Sequence, residues 1–403
     1  MIVWLIYGAL VLAVASYVGW FRDDMRVPSN AVAMFSATAM TFFLSVYVTS
    51  QMRRHGTEQS TYVSTALVVS ILFLGLFAFL LFFRAYYSRS FLIAAFVSTL
   101  CALYLSMFFA ARQRTLIYGV IPPLNAGALP STNAIEFVQL HNSDDAIEAF
   151  DGLMAHYESL TDEWQALVAA ATAQGLNVQE DAVFIESFTG RVSTYARSPI
   201  RANDFKLDPI YSVVKRMIDV VVTVALLPAF FVIVIIFAPL IRAESQGPIF
   251  YRQLRVGQGG KSFTIYKFRS MRADADHDGH DFAQVKDPRV TRIGRFMRRT
   301  RLDELPQLLN VLRGEMSLIG PRPEQQGFVQ EFRKLIPFYD YRHMVKPGIT
   351  GWAQVSHGYA ACIASARGKL EYDLYYAKYC SFWLDVLIVF KTFRTIIDGF
   401  GVR

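Results

Sequence analysis

An adjacent pair of carboxylates, Asp303 and Glu304, is the part of this sequence best suited to chemistry. The pair lies in a leucine-rich stretch, residues 301–312, in which four of the five leucines recur at steps of three, four and three. That spacing predicts one apolar face of a helix. Because Pro306 is tolerated only in a first helical turn, the helix is predicted to begin near Asp303, with both carboxylates off its apolar face.

Basic residues precede this pair. Six arginines lie just upstream, at Arg289, Arg292, Arg295, Arg298, Arg299 and Arg301. Acidic residues at a helix N-terminus, with cations close by, suit a metal ion or a phosphoryl group. An acidic first turn that only stabilises its own helix is the other interpretation, and the local sequence does not separate the two.

Composition limits the class of protein. Of the 403 residues, 53% are hydrophobic and 33 are phenylalanine, and the mean hydropathy is +0.30, which together indicate a membrane protein. The formal charge of +7 and the pI near 9.2 favour anionic partners. Beside so many apolar segments, lipid headgroups and phosphorylated substrates fit better than nucleic acid. The three cysteines show neither a disulfide framework nor metal-binding spacing.

The distribution of apolar residues predicts a mainly α-helical membrane protein. Four apolar runs open the chain, at Ile2–Trp20, Ala31–Ser50, Tyr62–Phe83 and Phe91–Ala111. Each is near the roughly 20 residues that cross a bilayer, so residues 1–112 are predicted to form a four-helix transmembrane bundle. Arginines flank both ends of the runs in equal number, and the positive-inside rule therefore leaves the orientation open.

Residues 113–210 predict a small soluble α/β segment. The expected elements are strands near 115–121, 135–140 and 183–188 and helices near 145–157 and 162–173. No glycine-rich phosphate loop follows a strand here. His141 and His156 have no partner at metal-ligand spacing, so both are predicted to lie on the surface. The expected role of the segment is regulation or packing.

The third part, residues 211–403, begins with a further apolar run, Val220–Ile241, which Pro228 interrupts. A helix of this length can span a bilayer at about 1.5 Å per residue, and membrane helices tolerate proline kinks. Two arrangements remain open. The run is either a kinked fifth span, or a re-entrant helix–break–helix at about 213–241 with both basic ends at one membrane surface.

The residues that follow are basic and less apolar. Strands near 249–256 and 263–268 flank a glycine-rich turn, which predicts a β-hairpin rather than a phosphate loop, because no GK[ST] motif follows. The acidic run 274–281 is predicted to be a solvated linker rather than a metal site. Thr291–Arg299 predicts a basic amphipathic helix, suited to an anionic membrane surface and to substrate phosphates.

Two rigid loops and two aromatic segments complete the chain. Prolines fix the backbone on both sides of Arg322 in the turn 320–323, so its guanidinium can be aimed at a phosphate. Lys346 opens a second loop shaped by proline and glycine. The tyrosine-rich segment 369–379 suits a membrane interface, or a platform for a base or sugar. Residues 382–393 predict an amphipathic helix lying in the membrane interface.

In combination, these motifs resemble one family. From about Lys215 to Arg403 the chain is similar to the bacterial sugar transferases, which are monotopic polyprenol-phosphate phosphoglycosyltransferases. The matching segments, in order, are Lys215-Arg216 with Asp219, Gly247–Phe250, Lys267–Met271, Asp287–Arg289, Leu302–Gln307, Gly320–Pro323 and Lys346–Trp352. The four apolar runs and the α/β segment also resemble the large subgroup that starts exopolysaccharide or O-antigen synthesis.

The resemblance implies transfer of a sugar-1-phosphate from a UDP-sugar to undecaprenyl phosphate, with release of UMP. It implies that Asp303 is a nucleophile that forms a covalent aspartyl-phosphosugar intermediate. It also implies that Glu304 binds metal or positions the acceptor phosphate, with Mg²⁺ at the pair. Arg322 matches a turn arginine that contacts the nucleotide or phosphate. The other basic residues expected to bind phosphates or substrate are Lys267, Arg269, Arg289, Arg298, Arg301 and Lys346.

The implied fold is a four-helix transmembrane bundle and a small α/β segment, followed by a re-entrant membrane helix, broken at Pro228, with a mostly helical catalytic domain that contains a β-hairpin. The expected location is a bacterial inner membrane with the catalytic domain in the cytoplasm. The expected partners are the UDP-sugar, undecaprenyl phosphate, membrane lipid and a second copy of the chain in a homodimer. The expected sugar is glucose. The alternatives are a non-enzymatic scaffold or regulator of polysaccharide assembly, and a glycosyltransferase that releases UDP.

Overall fold

The computed structural model describes residues 7–8, 10–16, 31–53, 58–83, 88–111, 115–129, 135–142, 149–194, 200–205, 207–272, 289–357 and 363–398. The chain divides into two compact units, Met1–Gly190 and Arg191–Arg403. The acidic run 274–281 lies outside the described residues, and so do Asp287 and Pro288.

Apolar helices open the first unit. The bounds are α1 (Ala31–Arg53), α2 (Glu58–Phe82) and α3 (Arg89–Ala111), and residues 10–16 are helical as well. Their common core includes Ala15, Val69, Phe73 and Phe91. Among the described residues of this unit, only Arg89–Phe109 is both long and apolar enough to cross a membrane, whereas the apolar parts of α1 and α2 are shorter. A crossing by all four predicted runs stays a prediction.

A four-stranded parallel sheet forms the rest of the first unit, in the order β2-β1-β3-β4. Its elements are β1 (Leu116–Val120), β2 (Ile135–Gln139), β3 (Gly152–Ala155), α4 (Asp162–Ala173), β4 (Asn177–Glu180) and α5 (Asp181–Thr189). Trp164 of α4 packs with Leu153 on one face, and Phe184 of α5 packs with Met154 on the other. The predicted strands at 115–121 and 135–140 and the predicted helix at 162–173 are confirmed.

Two predicted elements of this segment are wrong. Residues 152–155, expected inside a helix at 145–157, form β3, which is buried between β1 and β4. So short an apolar run has no periodicity that separates a central strand from a helix. Residues 183–188, expected to be a strand, lie in α5, which ends where Gly190 adopts a left-handed conformation with φ of 65°.

One of the two histidines was also placed wrongly. His141 is exposed, as predicted. His156 is buried, and its Nδ1 lies 3.0 Å from Oδ1 of Asp181, the first residue of α5. The partner follows 25 residues later in the chain, so spacing along the sequence could not reveal it.

A 36-residue helix, α6 (Pro209–Glu244), dominates the start of the second unit. It is about 54 Å long and continuous through Pro228, so the predicted interruption does not end it. Its buried residues Asp219, Thr223, Phe230 and Ile241 recur on one face, and most of its other apolar side chains are exposed. One face therefore packs against the unit along most of the helix, and the rest forms an exposed apolar surface.

The predicted β-hairpin is confirmed, with β5 (Phe250–Val256) antiparallel to β6 (Ser262–Phe268). The elements that follow are α7 (Arg292–Thr300), a 3₁₀ segment (Leu302–Gln307), α8 (Leu308–Arg313), β7 (Ser317–Ile319), α9 (Gln326–Leu335), β8 (Gly348–Thr350), α10 (Trp352–Ser356), α11 (Ile363–Tyr379) and α12 (Phe382–Asp398). α7 confirms the predicted basic helix, and the Thr291 side chain caps it by accepting from Gly294 N.

Two segments predicted to suit a membrane interface, one of them alternatively a base or sugar platform, contribute residues to the core of this unit. Tyr375 and Tyr376, from the tyrosine-rich segment, are fully buried. Asp385 of α12 is buried, and it accepts hydrogen bonds from Tyr376 at 2.8 Å and from Tyr211 and Lys215 at 2.5 Å. Periodicity identifies an apolar face but not what covers it, and here α6 and α11 cover part of α12.

Candidate active site

The Asp303–Glu304 pair lies on a tight turn between α7 and α8. Arg301 ends α7 in the left-handed conformation, with φ of 57° and ψ of 17°, which costs roughly 1–2 kcal/mol for a residue with a side chain. The 3₁₀ segment begins at Leu302, and the α-helix proper begins at Leu308. The predicted helix start near Asp303 is thus confirmed, although the first turns are 3₁₀. Such strain often marks functional sites.

Cations surround the Glu304 carboxylate. Its Oε1 accepts from Lys267 Nζ at 2.9 Å and from Arg322 Nη2 at 2.6 Å, and its Oε2 lies 3.7 Å from Arg301 Nη1. Glu304 is only 5% exposed. Burial by itself raises the pKa of Glu304, but Arg322 and Lys267 outweigh it and hold that pKa well below its usual range. Glu304 is therefore an ionised, immobilised carboxylate.

Asp303 differs from its neighbour. It is 8% exposed, yet within the part of the chain that the structure describes its carboxylate forms no ion pair and no side-chain hydrogen bond. Burial and the adjacent Glu304 charge raise the pKa of Asp303 to about 6, against the opposing effect of Lys267 and Arg298. An unpaired, desolvated carboxylate is a better nucleophile than one held by hydrogen bonds.

The strand β6 and the helix α7 bring two of these cations to the pair. Lys267 lies near the end of β6, and its burial lowers its pKa while Glu304 opposes that shift. Arg298 lies in α7, and its Nε donates to Ser270 Oγ at 2.8 Å. The helix approaches Ser270 so closely that a Cβ on Gly294 would lie 2.0 Å from the Ser270 carbonyl oxygen.

Buried ion pairs hold the turn that carries Arg322. Arg342 donates to Asp373 Oδ2 at 2.7 and 3.1 Å, and its Nη2 also donates to the Arg322 carbonyl at 2.9 Å. Glu324, two residues after Arg322 in the same turn, forms an ion pair with Lys369. The interaction with Glu304 raises the pKa of Arg322, so the guanidinium stays charged. The structure brings Arg322 to Glu304, and its predicted phosphate contact stays a prediction. No signal in the sequence identified Arg342 and Asp373, whose 31-residue separation no local pattern connects.

The structure brings Lys267, Arg301 and Arg322 to Glu304, but it places two other expected phosphate ligands elsewhere. Arg269 is buried, and its guanidinium donates to the carbonyls of Ile241, Ser245 and Gln246, where it caps the end of α6. Lys346 lies with Arg216 beside Gly314, at the opposite end of α8 from the carboxylate pair. For both residues, the sequence motif did not distinguish a basic side chain that binds substrate from one that contacts only the protein.

Arg289 marks the edge of the described residues. Its carbonyl accepts from Arg272 N at 3.0 Å, and the neighbouring Val290 bridges Met271. The backbone there is therefore tied to the segment that follows β6. A phosphate contact by the Arg289 side chain stays a prediction.

The two carboxylates fit Mg²⁺ in part. Among the residues that the structure describes, no third His, Cys, Asp or Glu joins them in a metal-binding group. Mg²⁺ commonly binds one or two carboxylates together with substrate phosphates and water, so a third protein ligand is not required. Glu304 Oε1 already accepts from two cations, which leaves Glu304 Oε2 and the Asp303 carboxylate as the oxygens that fit.

The sequence of this chain matches those of known proteins. Residues 210–399 match the sequence model of the bacterial sugar transferases. Over 337 residues the chain is 42% identical to the UDP-N-acetylgalactosamine-undecaprenyl-phosphate N-acetylgalactosaminephosphotransferase of Aeromonas hydrophila, covering 83% of this chain and 80% of that protein. This chain belongs to the bacterial sugar transferase family.

Two other relatives of this sugar transferase match shorter regions. The UDP-glucose:undecaprenyl-phosphate glucose-1-phosphate transferase of Klebsiella pneumoniae is 41% identical over 199 residues, which cover 49% of this chain and 42% of that protein. A Bacillus subtilis protein described as a putative undecaprenyl-phosphate N-acetylgalactosaminyl 1-phosphate transferase is 50% identical over 132 residues, 33% of this chain and 74% of that protein. The resemblance inferred from the motifs is therefore confirmed.

Proposed function

We propose that this chain transfers a sugar-1-phosphate from a UDP-sugar to undecaprenyl phosphate and releases UMP, as the first membrane step in the synthesis of a surface polysaccharide. One observation carries the proposal. The two adjacent carboxylates are held differently, with Glu304 neutralised by Lys267 and Arg322 and Asp303 left without an ion pair. That asymmetry supports nucleophilic attack by Asp303 and a positioning role for Glu304.

The reaction proceeds in two displacements at one phosphorus. In the first, an Asp303 carboxylate oxygen attacks the phosphorus that carries the sugar, the bond to the bridging oxygen breaks, and UMP leaves with that oxygen. In the second, a phosphate oxygen of undecaprenyl phosphate attacks the same phosphorus, and the Asp303 carboxylate is released. The acceptor keeps the phosphosugar as a diphosphate, and the donor and acceptor use one site in turn.

Cations near the pair reduce the charge repulsion that opposes attack on a diphosphate. Lys267, Arg298 and Arg322 each lower the pKa of Asp303, so each acts on the charge at that site. Arg322 is the most exposed of the three cations around Glu304, with a third of its side chain accessible, and can add a phosphate contact without breaking the turn. Mg²⁺ held by Asp303 and Glu304 would polarise phosphoryl oxygens.

The exposed apolar surface of α6 supports a membrane position for this site. Near its beginning, Arg216 donates to the carbonyls of Val311 and Leu312, and near its end Glu244 accepts from Ile293 N at 2.9 Å. Because both ends bind the same unit, we propose that α6 enters the bilayer from one side, the cytoplasmic side of the inner membrane where UDP-sugars are found. The test introduces a cysteine at each end of α6 and labels it with a thiol reagent that does not cross the membrane. Labelling of the two ends from opposite sides of the membrane would overturn this proposal.

The relatives favour an N-acetylhexosamine as the first donor to test. The Aeromonas relative, which matches the chain from the first unit onward, and the Bacillus relative are both described with N-acetylgalactosamine. The glucose-type Klebsiella relative matches about half of the chain. We therefore place UDP-N-acetylgalactosamine ahead of the glucose donor expected from the sequence, and a panel of both with UDP-galactose decides.

The decisive experiment identifies the released nucleotide and the covalent adduct. Membranes containing the protein are incubated with Mg²⁺, undecaprenyl phosphate and each UDP-sugar, and UMP and UDP are separated by chromatography. We expect UMP, and we expect mass spectrometry of enzyme quenched without acceptor to locate a phosphosugar on Asp303. Release of UDP would indicate transfer of the sugar alone. No turnover with any donor would favour a scaffold.

Variants test the assignment within the pair. Asp303→Asn is expected to abolish both UMP release and the adduct, because the amide is not a nucleophile. The matched control is Asp340→Asn, which removes an exposed carboxylate of the same unit and should leave turnover unchanged. Full activity of Asp303→Asn would overturn the role given to Asp303.

A further inference from the structure

The side chain of Asn310, in the helix that follows the carboxylate pair, lies against the outer edge of β6. Asn310 is 0% exposed. Its Oδ1 accepts from the backbone N–H of Tyr266 at 3.2 Å, and its Nδ2 donates to the carbonyl of Thr264 at 2.7 Å. Nδ2 also donates to Glu315 Oε2 at 2.7 Å. Both polar atoms of this buried amide therefore have hydrogen-bond partners.

The two backbone contacts have the geometry of a missing strand. A residue of a parallel neighbouring strand accepts from one residue of the edge and donates to the residue two positions earlier. The Asn310 amide does the same for Tyr266 and Thr264 on the edge of β6 that faces away from β5. Reversing the amide would set its oxygen against the Thr264 carbonyl and the Glu315 carboxylate, so the contacts define one orientation.

This bridge connects the elements that carry the two sides of the site. Tyr266 is the immediate neighbour of Lys267, and α8 continues directly from the 3₁₀ segment that carries Glu304. A shift of α8 along β6 would change the 2.9 Å contact between Lys267 and Glu304. We propose that Asn310 is a positioning residue, which sets the register between the strand of Lys267 and the segment of Asp303 and Glu304. This inference rests on the proposed function.

The test compares Asn310→Ala with Val311→Ala. Val311 is the next residue of α8, is fully buried, and packs with Phe263 and Ile265 of β6. Its truncation loosens the same contact without touching the amide bridge. A second control, Glu315→Gln, keeps an acceptor oxygen for Asn310 Nδ2 and should behave as the unchanged protein.

The measured quantities are the melting temperature, the rate of phosphosugar–enzyme formation in a single turnover, and the KM for the UDP-sugar that the unchanged protein uses. For Asn310→Ala we expect the single-turnover rate per folded molecule to fall about 10- to 100-fold, because a displacement near 1 Å at a site costs on that order. KM is expected to change less than about threefold, since the binding groups remain. Val311→Ala should lose thermal stability but keep its single-turnover rate.

Equal single-turnover rates in the two alanine variants, at matched folded fractions, would overturn the positioning role. A fall in melting temperature for Asn310→Ala with an unchanged rate would leave only a structural role and would also overturn it. If the unchanged protein itself forms no phosphosugar adduct and releases no UMP, the proposed function fails instead, and the two failures are thereby distinguished.

Discussion

Asp303→Asn is predicted to make the protein more stable at neutral pH while it removes activity. Burial and the Glu304 charge raise the pKa of Asp303 from 3.8 to about 6. The folded protein therefore binds this proton more tightly than the unfolded chain does, and ionised Asp303 opposes folding. About two pKa units at roughly 1.36 kcal/mol each give a gain of about 3 kcal/mol for the neutral amide above pH 6.

The pH dependence distinguishes this explanation from a general improvement in packing. Below about pH 4 the aspartic acid is protonated in both states, so the advantage of the amide should disappear; it should grow as the pH rises through 6. For a unit of this size, about 3 kcal/mol corresponds to roughly 6–12 °C in melting temperature. The assay is thermal unfolding of detergent-solubilised protein at several pH values, with a chelator present because a bound cation would offset the charge.

A variant that removes a solvent-exposed carboxylate serves as the control. Asp340→Asn removes an exposed carboxylate and should change the free energy of unfolding by no more than about 0.5 kcal/mol. An Asp303→Asn protein that melts lower than the unchanged protein at pH 7.5 would refute the reasoning. So would an equal gain at every pH, since only the ionised carboxylate should oppose folding.

Two other predictions concern contacts around the site. Gly294→Ala should lower the free energy of unfolding by about 1–3 kcal/mol and reduce activity, because its Cβ would meet the Ser270 carbonyl at 2.0 Å. Gly327→Ala is the control: it lies in an exposed helical position with nothing within 4 Å and should raise the free energy of unfolding by about 0.5–1 kcal/mol. Melting curves of the two variants that move in the same direction would contradict this. Asp373→Asn should lower the free energy of unfolding by about 3–5 kcal/mol and slow UMP release, since Arg342 keeps a buried charge without its counter-ion. A melting temperature within error of the unchanged protein would contradict that prediction.

Local sequence was sufficient for the features that depend on neighbours within one or two helical turns. The steps between the leucines of 301–312 and the position of Pro306 predicted where the helix of the carboxylate pair begins, and turn glycines between β-rich runs predicted the hairpin. Proline on both sides of Arg322 predicted a turn that aims its guanidinium, and the structure directs that guanidinium to Glu304.

Tertiary contacts decided what the same residue types do. Lys267 and Arg269 are two positions apart in one motif, yet the first binds Glu304 and the second binds carbonyls at the end of α6. Lys267 lies within β6, whereas Arg269 lies beyond the end of that strand at Phe268, so the alternation of a strand does not fix its direction. The burial of Tyr375 and Tyr376 likewise depended on which elements cover α11, and their types alone fitted a membrane interface equally well.

The chemistry of the pair shows the same division. The local sequence was enough to identify the pair, its place at a helix start and the arginines before it. The difference between Asp303 and Glu304 was not, because it depends on Lys267, 37 positions away from Glu304, and on Arg322, 18 positions away. Charge interactions act through space and are strengthened by burial, so only the folded chain determines which of two adjacent carboxylates is neutralised and which is left to react.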